Sequence, residues 1–435
     1  MMMLTNKDLQ ARREAAVPPG VATMLPIFAA KAKNAEIWDV EGKRYIDFAG
    51  GIAVINTGHN HPRIMAAVRE QLDCFSHTCF QITPYASYIE LAEKLNDLVP
   101  GDTPKQTLFL STGAEAVENA IKIARSHTGR SGVIAFSGGF HGRTMMGMAL
   151  TGKVVPYKVG FGPFPGEVFH VPFPNAICGV SEADSLKAVE DLFAADVEPS
   201  RVAAMIIEPV QGEGGFNIAS PAFLQALRAL CDRHGILLIV DEIQTGFART
   251  GKMFATDYAG IEPDMMTLAK SLAGGFPLSA VTGKAEIMQS AKPGGLGGTY
   301  AGSPLGCAAA LAVLEVIEEE QLNTRSMVLG ALIVDHLTQM KQDPALDCIG
   351  EIRNLGAMVA VELVRENDMA QAAPELAKAL VQEVAKDGLI LLSCGVRGNV
   401  IRFLSPLTIP DAQVMEGMTI IHAALKRLGK IRQAA

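Results

Sequence analysis

What this 435-residue chain has little of already narrows its class. Only 19% of its residues are charged, against 49% hydrophobic, which excludes a disordered chain, because disorder needs low hydrophobicity and high net charge. The net charge of −8 is mild and carries no polyanion-binding signal, so nucleic acid is not an expected partner. No apolar run approaches the roughly 20 residues that span a bilayer, so a membrane is not expected either. The amino-terminal stretch MMMLTNKDLQARREAA lacks an apolar signal core. The seven cysteines (Cys74, Cys79, Cys178, Cys231, Cys307, Cys348, Cys394) are odd in number and contain no C-x-x-C pair. Neither a disulfide framework nor a zinc site is expected from them, and no metal is assigned. Internal repeats and low-complexity tracts are also missing. A cytoplasmic enzyme with reduced thiols is the expectation.

What is present is enough chain for two or more lobes and 42 glycines clustered with prolines in short punctuating stretches. IWDVEGKRYI (37–46) reads as two short strands around the turn Glu41-Gly42, and a helical pattern runs from Arg63 into Cys74. Between about Leu108 and Ala280, continuous apolar strands alternate with amphipathic segments. The strands are TLFL (107–110), GVIAF (132–136), VAAMII (202–207), ILLIV (236–240) and MMTLA (265–269); the helices include Glu115–His127 and Pro221–His234. Such alternation indicates a parallel sheet buried on both faces, with catalytic groups at the carboxyl ends of its strands. From about Gly306 a long Ala/Leu/Glu-rich segment, CAAALAVLEVIEEEQL (307–322), reads as a connecting helix. The last third, with a helix opening at Pro374 and strands in GAMVAVEL, GLILLSCG and NVIRFLSPL, reads as a smaller α+β lobe. The basic tail Lys426–Arg432 reads as a solvated helix end.

Three of these strands end in chemistry. ILLIV runs into Asp241, MMTLA into Lys270, and TLFL into Ser111-Thr112-Gly113-Ala114-Glu115, where a helix begins. If the strands are parallel neighbours, a carboxylate, an amine and a helix N-terminus converge on one sheet edge. Singly, each has a plainer explanation: the aspartate as a helix cap, the lysine as an exposed strand end. Together they match the needs of pyridoxal 5'-phosphate. Its aldehyde is held by a lysine, its ring nitrogen stays protonated beside a buried carboxylate, and its phosphate takes backbone N–H donors at a helix N-terminus.

The run DEIQTGFARTG (241–251), followed 29 positions after Asp241 by Lys270 in AKS, resembles the signature of the class III (ω-) aminotransferases. The resemblance continues through GGIAVINTGHNHP, STGAEAVENAIKIAR, FSGGFHGRT, IEPVQGEGG and PGGLGGTYAGSP to LLSCG and NVIRFLSPLT, covering about residues 20 to 425. It implies an α/β, fold-type I pyridoxal-phosphate enzyme, with a mainly parallel seven-stranded sheet in a large domain and a smaller α+β domain built from the chain ends. The division implied is an amino-terminal segment 1–58 packing with the small domain, a large domain 59–328, and a small domain 329–435.

The resemblance further implies Lys270 as Schiff-base lysine and proton shuttle, Asp241 as partner of the ring nitrogen, and Gln244 as hydrogen-bonding the ring's 3-oxygen. Phe140 resembles the aromatic stacked on one ring face, in the stretch that holds His141, and Ile243 packs on the other. Gly113 and Ala114 resemble the phosphate cradle, where some relatives carry Ser at the second position. Thr299 resembles a phosphate ligand donated by a neighbouring subunit, which implies a homo-oligomer with shared active sites. For the substrate, the implied residues are Arg143 for a distal carboxylate, Ile52 lining the pocket from the partner subunit, and Arg402 for the α-carboxylate of 2-oxoglutarate. Glu213 resembles a switch that covers Arg402 while a monocarboxylate is bound, because an unpaired buried cation is costly. Arg249 and Arg353 are expected to be structural or surface residues.

Within the family, PGGLGGTYAGSP with LLSCG and NVIRFLSPLT most resembles members that transaminate 4-aminobutyrate with 2-oxoglutarate. The alternatives are 5-aminovalerate, ornithine, acetylornithine and diamine donors, and, from another class, a cofactor-binding regulator without turnover.

Overall fold

The computed structural model describes residues 5–434, with the side chains of 430–434 left out. The first four residues of the amino-terminal stretch, and the tail beyond Gly429 at side-chain level, therefore lie outside the described residues. Among those described, no helix is long and apolar enough to cross a membrane, and no group of His, Cys, Asp and Glu side chains could hold a metal ion.

The central element is a seven-stranded, mostly parallel sheet. In spatial order its strands are Lys105–Leu110, Ser279–Lys284, Met265–Leu268, Leu237–Asp241, Val202–Ile207, Gly132–Phe136 and Val168–Val171. Val202–Ile207 and Leu237–Asp241 are buried along their whole length, as continuous apolar runs covered on both faces require. The sheet holds two strands that the sequence reading does not name, Val168–Val171 at one edge and Ser279–Lys284 inside it. Ser279–Lys284 inserts antiparallel between Lys105–Leu110 and Met265–Leu268, so these two are not neighbours. Antiparallel to both, it leaves them parallel to each other, and the ends at Leu110, Leu268 and Asp241 still share one edge.

Helix Gly113–Thr128 springs directly from that edge. Thr112 caps it by accepting from the Glu115 N–H, while Glu115 reaches back to the N–H groups of Ser111 and Thr112, both at 2.9 Å. Helix Pro221–His234 has the expected bounds, with Ser220 as cap and Pro at its first position.

The Ala/Leu/Glu-rich segment expected to be helical is Pro304–Glu319, and a second helix, Leu322–Lys341, follows it after Gln321 takes a left-handed backbone (φ 55°). The carboxy-terminal part forms a five-stranded antiparallel sheet that includes Ile349–Leu355, Met358–Arg365, Leu392–Cys394 and Val400–Phe403. Near the other end of the chain, Ala29–Lys33, Glu36–Asp39 and Arg44–Asp47 form a sheet completed by Leu389–Ile390. The basic end of the last helix is not merely solvated: Lys426 pairs with Asp343, and Arg427 with Glu383 and Asp387.

Candidate active site

The shared strand edge opens into a cavity of about 530 Å³. Lys270, Asp241, Gln244, Ile243, Phe140 and His141 line it on the side of the sheet. Gly113 and Ala114 line it at the helix N-terminus, and Arg143 and Glu213 complete its wall.

Asp241 ends its strand with both oxygens engaged. One accepts from the Ile243 N–H at 3.2 Å, and the other lies 2.7 Å from His141 Nδ1. Burial works against a charged His141, yet the hydrogen bond and charge of Asp241, helped by Glu208, outweigh it and raise its pKa. Lys270 sits at the next strand's end in a left-handed backbone conformation (φ 48°). Burial holds its ammonium below the usual lysine value, assisted by the charge of Arg402 and opposed by Glu213, Glu208 and Asp241. An amine of lowered pKa is the kind that does imine and proton-transfer chemistry.

The helix N-terminus meets the cavity with its first turn only partly capped. Thr112 satisfies Glu115 and Ala116 bonds back to the Thr112 carbonyl, which leaves the N–H groups of Gly113 and Ala114 as open donors at the positive end of a helix. Close approach is built in at Gly113, where a Cβ would sit 2.9 Å from Ile243 Cδ1. Across the cavity, Gln244 Oε1 is buried without a hydrogen-bond partner among the described residues.

Glu213 and Arg402 form a second group. Arg402, in the small sheet, is buried rather than at the surface position that strand alternation alone suggests, and its Nη1 donates to Glu213 Oε1 at 2.5 Å. Burial would raise the Glu213 pKa, but the charge and hydrogen bond of Arg402 outweigh it and lower it. Arg143 is exposed at the cavity wall, its guanidinium 5.2 Å from the centre of the Tyr157 ring, and among the described residues no carboxylate pairs with it. Ile52 and Thr299 are exposed and do not line this chain's cavity.

Two residues of the site were not anticipated. Glu208 is buried and accepts from the N–H of Phe140 at 2.9 Å and of Gly212 at 3.2 Å, joining the Phe140 loop to the Glu213 loop. Burial, with the charge of Asp241, pushes its carboxyl up to about 7 against the pull of His141 and those two N–H groups. Tyr157 packs on Phe140 (ring centres 4.9 Å apart), lies against Arg143, and donates to Glu213 Oε2 at 3.3 Å. Glu208 lies in the IEPVQGEGG stretch, and its place after a buried strand was a usable signal; Tyr157 offered none. Arg249, as expected, is structural: it is fully buried and donates to the Ser405 carbonyl at 2.8 Å and to Asn56.

Comparison with known proteins adds a family to this geometry. The model of the aminotransferase class-III family matches residues 16–425. The 5-aminovalerate aminotransferase of Pseudomonas aeruginosa is 57% identical over 427 residues, covering 98% of this chain and all of that one. The 4-aminobutyrate aminotransferase of Escherichia coli is 53% identical over 419 residues, 96% of this chain and 98% of its own. Among solved structures, an ornithine aminotransferase of Toxoplasma gondii, described as having partial occupancy of pyridoxal phosphate at its active site, superposes with a TM-score of 0.86 at 31% identity. The match spans 99% of this chain and 97% of that one.

Proposed function

The chain belongs to the class III aminotransferases, which depend on pyridoxal 5'-phosphate, and from that premise we propose that it transfers the amino group of an ω-amino acid, 4-aminobutyrate foremost, to 2-oxoglutarate. The observation that carries the substrate class is the combination of Arg143 at the cavity wall, which has no carboxylate partner among the described residues, with a covered cation, Arg402, beneath Glu213.

The residues present fit the cofactor. Gly113 and Ala114 offer backbone donors for a phosphate, Gln244 offers a buried amide with an unused acceptor, and Lys270 offers a partly buried amine of lowered pKa. When bound, pyridoxal 5'-phosphate supplies an aldehyde that condenses with amines and a ring that takes up electrons from the amine-bearing carbon. Asp241, oriented by His141 and the Ile243 N–H, is the buried carboxylate that would hold a proton on the ring nitrogen. Phe140 and Ile243 would enclose the ring from its two faces.

Lys270 Nζ takes the proton from the amine-bearing carbon and later gives it up, as general base and then acid. Arg143 binds the distal carboxylate of the ω-amino acid, a task for which a guanidinium fork is suited. During that half-reaction Glu213 keeps Arg402 neutralised, since a desolvated cation left alone costs several kcal/mol. When 2-oxoglutarate arrives, Glu213 swings aside and Arg402 takes the α-carboxylate. Donor and acceptor thus use one site in turn, with ping-pong kinetics. Ile52 and Thr299 would act from a second copy of the chain. Their exposure in the single chain, beside exposed Tyr300 and Ile82, supports a homo-oligomer with shared sites.

5-Aminovalerate is the second reading, favoured by the Pseudomonas aeruginosa relative of that name. One added methylene alters binding by only about 1–3 kcal/mol, so one pocket can serve both donors.

The test is the visible absorbance of the loaded enzyme on separate addition of 4-aminobutyrate, 5-aminovalerate, ornithine and acetylornithine, without keto acid. Loss of the cofactor's resting band with 4-aminobutyrate or 5-aminovalerate is expected. A band bleached by ornithine and untouched by the other two would overturn the substrate assignment.

A further inference from the structure

Glu213 is held by more than its own carboxylate. In the small sheet, Arg353 of strand Ile349–Leu355 is opposite Ala360 of Met358–Arg365, and Ala360 is opposite Arg402 of Val400–Phe403. Residues opposite one another across a sheet share a face. The two arginines therefore stand on one face two strands apart, with only a methyl group between them. Glu362, two residues along from Ala360, is on that face too.

Both arginines reach the same loop. Arg402 takes the Glu213 carboxylate, as described. Arg353 Nε donates to the carbonyl oxygen of Gly215 at 2.8 Å, and its Nη2 donates to the same oxygen. Nη2 also donates to Glu362 Oε1 at 2.9 Å, and the other oxygen of Glu362 accepts from Asn399 Nδ2 at 2.5 Å. The side chains of Arg353 and Glu362 are 10% and 6% exposed, so water competes little for these bonds.

On the other side of the loop, the Gly395 N–H donates to the Glu213 carbonyl at 3.0 Å. Gly215 itself has φ +116°, and a Cβ there would meet Val400 at 3.2 Å and Arg353 Nη2 at 3.3 Å. The loop backbone is thus seated close against the arginine, where a side chain would be tight and its positive φ strained. None of these backbone bonds uses the Glu213 carboxylate, which can leave Arg402 while the main chain stays in place.

We infer that Arg353, seated by Glu362, is a positioning residue that keeps the loop where Glu213 can close on Arg402. It thereby sets how readily the site passes between its monocarboxylate and dicarboxylate forms. This rests on the roles given above to Glu213 and Arg402. Arg353 does not line the cavity and acts only through the loop it holds.

The experiment uses Arg353→Met, Arg353→Lys and Glu362→Gln in the full chain, with two readouts. The first is amide hydrogen exchange in the cofactor-free protein, where Gly212, Gly215 and Phe216 have N–H acceptors in the structure. Arg353→Met should speed exchange at these amides about tenfold and leave the seven-stranded sheet unchanged, as a local opening does. The second is the two half-reactions of the holoenzyme. Arg353→Met should raise the apparent KM for 4-aminobutyrate about fivefold with less than a twofold change for glutamate. Arg353→Lys, which keeps the charge and loses the fork, should recover part of this. In a Glu213→Ala background, Arg353→Met should add nothing further.

Unchanged loop exchange, equal loss with both substrates, or full additivity with Glu213→Ala would overturn the inference. If Glu213→Ala alone harms both half-reactions equally, the switch falls instead, and the exchange result still decides whether Arg353 holds the loop. Should Arg353→Met not fold, Glu362→Gln carries the same test with a smaller increase in exchange.

Discussion

His141 Nδ1 lies 2.7 Å from Asp241 Oδ2, with both side chains almost wholly inside the protein. Removing one member of a buried charged pair costs about 3–5 kcal/mol, because the other is left uncompensated. The folded-state pKa of His141 is above its ordinary 6.5, so its contribution is fully present below pH 6.5 and is lost as pH rises through the raised value. His141→Ala should therefore lower stability most near pH 6 and less at pH 9. Denaturant unfolding of the apo-protein at the two pH values checks this, and a gap that widens with pH contradicts it.

Glu208 titrates near neutrality for a different reason: burial, not an ion pair, dominates. Its folded pKa of about 7 exceeds the ordinary 4.5, so its contribution to stability is complete below pH 4.5 and is lost as pH climbs toward 7. That interval corresponds to about 3 kcal/mol. Glu208→Gln removes the titration, and the stability difference between wild type and variant should shrink by about that much from pH 4.5 to pH 8. Urea midpoints across this range decide it. A constant difference would mean that Glu208 does not titrate there.

Lys270, partly buried, holds its ammonium at an energetic cost to the empty protein. A lowered lysine pKa means that the folded state is penalised at neutral pH and gains stability as pH rises toward 10.5. Apo Lys270→Met should melt above apo wild type at pH 7, with a smaller advantage at pH 10. The same variant should lose at least about 100-fold in kcat, the low end for removal of a general acid–base. Near wild-type turnover would sink the assigned role.

Tyr157 touches Phe140, Arg143 and Glu213 at once. Its ring contact with the Arg143 cation, on a group at the cavity wall, is worth about 0.5–1 kcal/mol. Tyr157→Leu should raise KM for the ω-amino acid about two- to fivefold, whereas Tyr157→Phe, which keeps the ring, should stay within about twofold. Steady-state kinetics with both variants separate the ring from the hydroxyl.

Strands such as Val202–Ile207 and Gly132–Phe136 were legible because an uninterrupted apolar run has few fates other than a sheet covered on both faces. Ser279–Lys284 was not, since SAVTGK mixes small, polar and charged residues and is buried only because its neighbours close over it.

Asp241, Lys270 and the Gly113-Ala114 turn were marked in the chain by their places at the ends of apolar segments, and the tertiary structure lines one cavity with all three. The local pattern of apolar strand followed by polar residue determined that much, because a parallel sheet brings its strand ends to one edge. Tyr157, Arg353 and the burial of Arg402 were decided only by the fold. Each acts on groups that are distant along the chain, as Arg353 does on Gly215 and Arg402 on Glu213, and a contact made through space leaves no periodicity behind it.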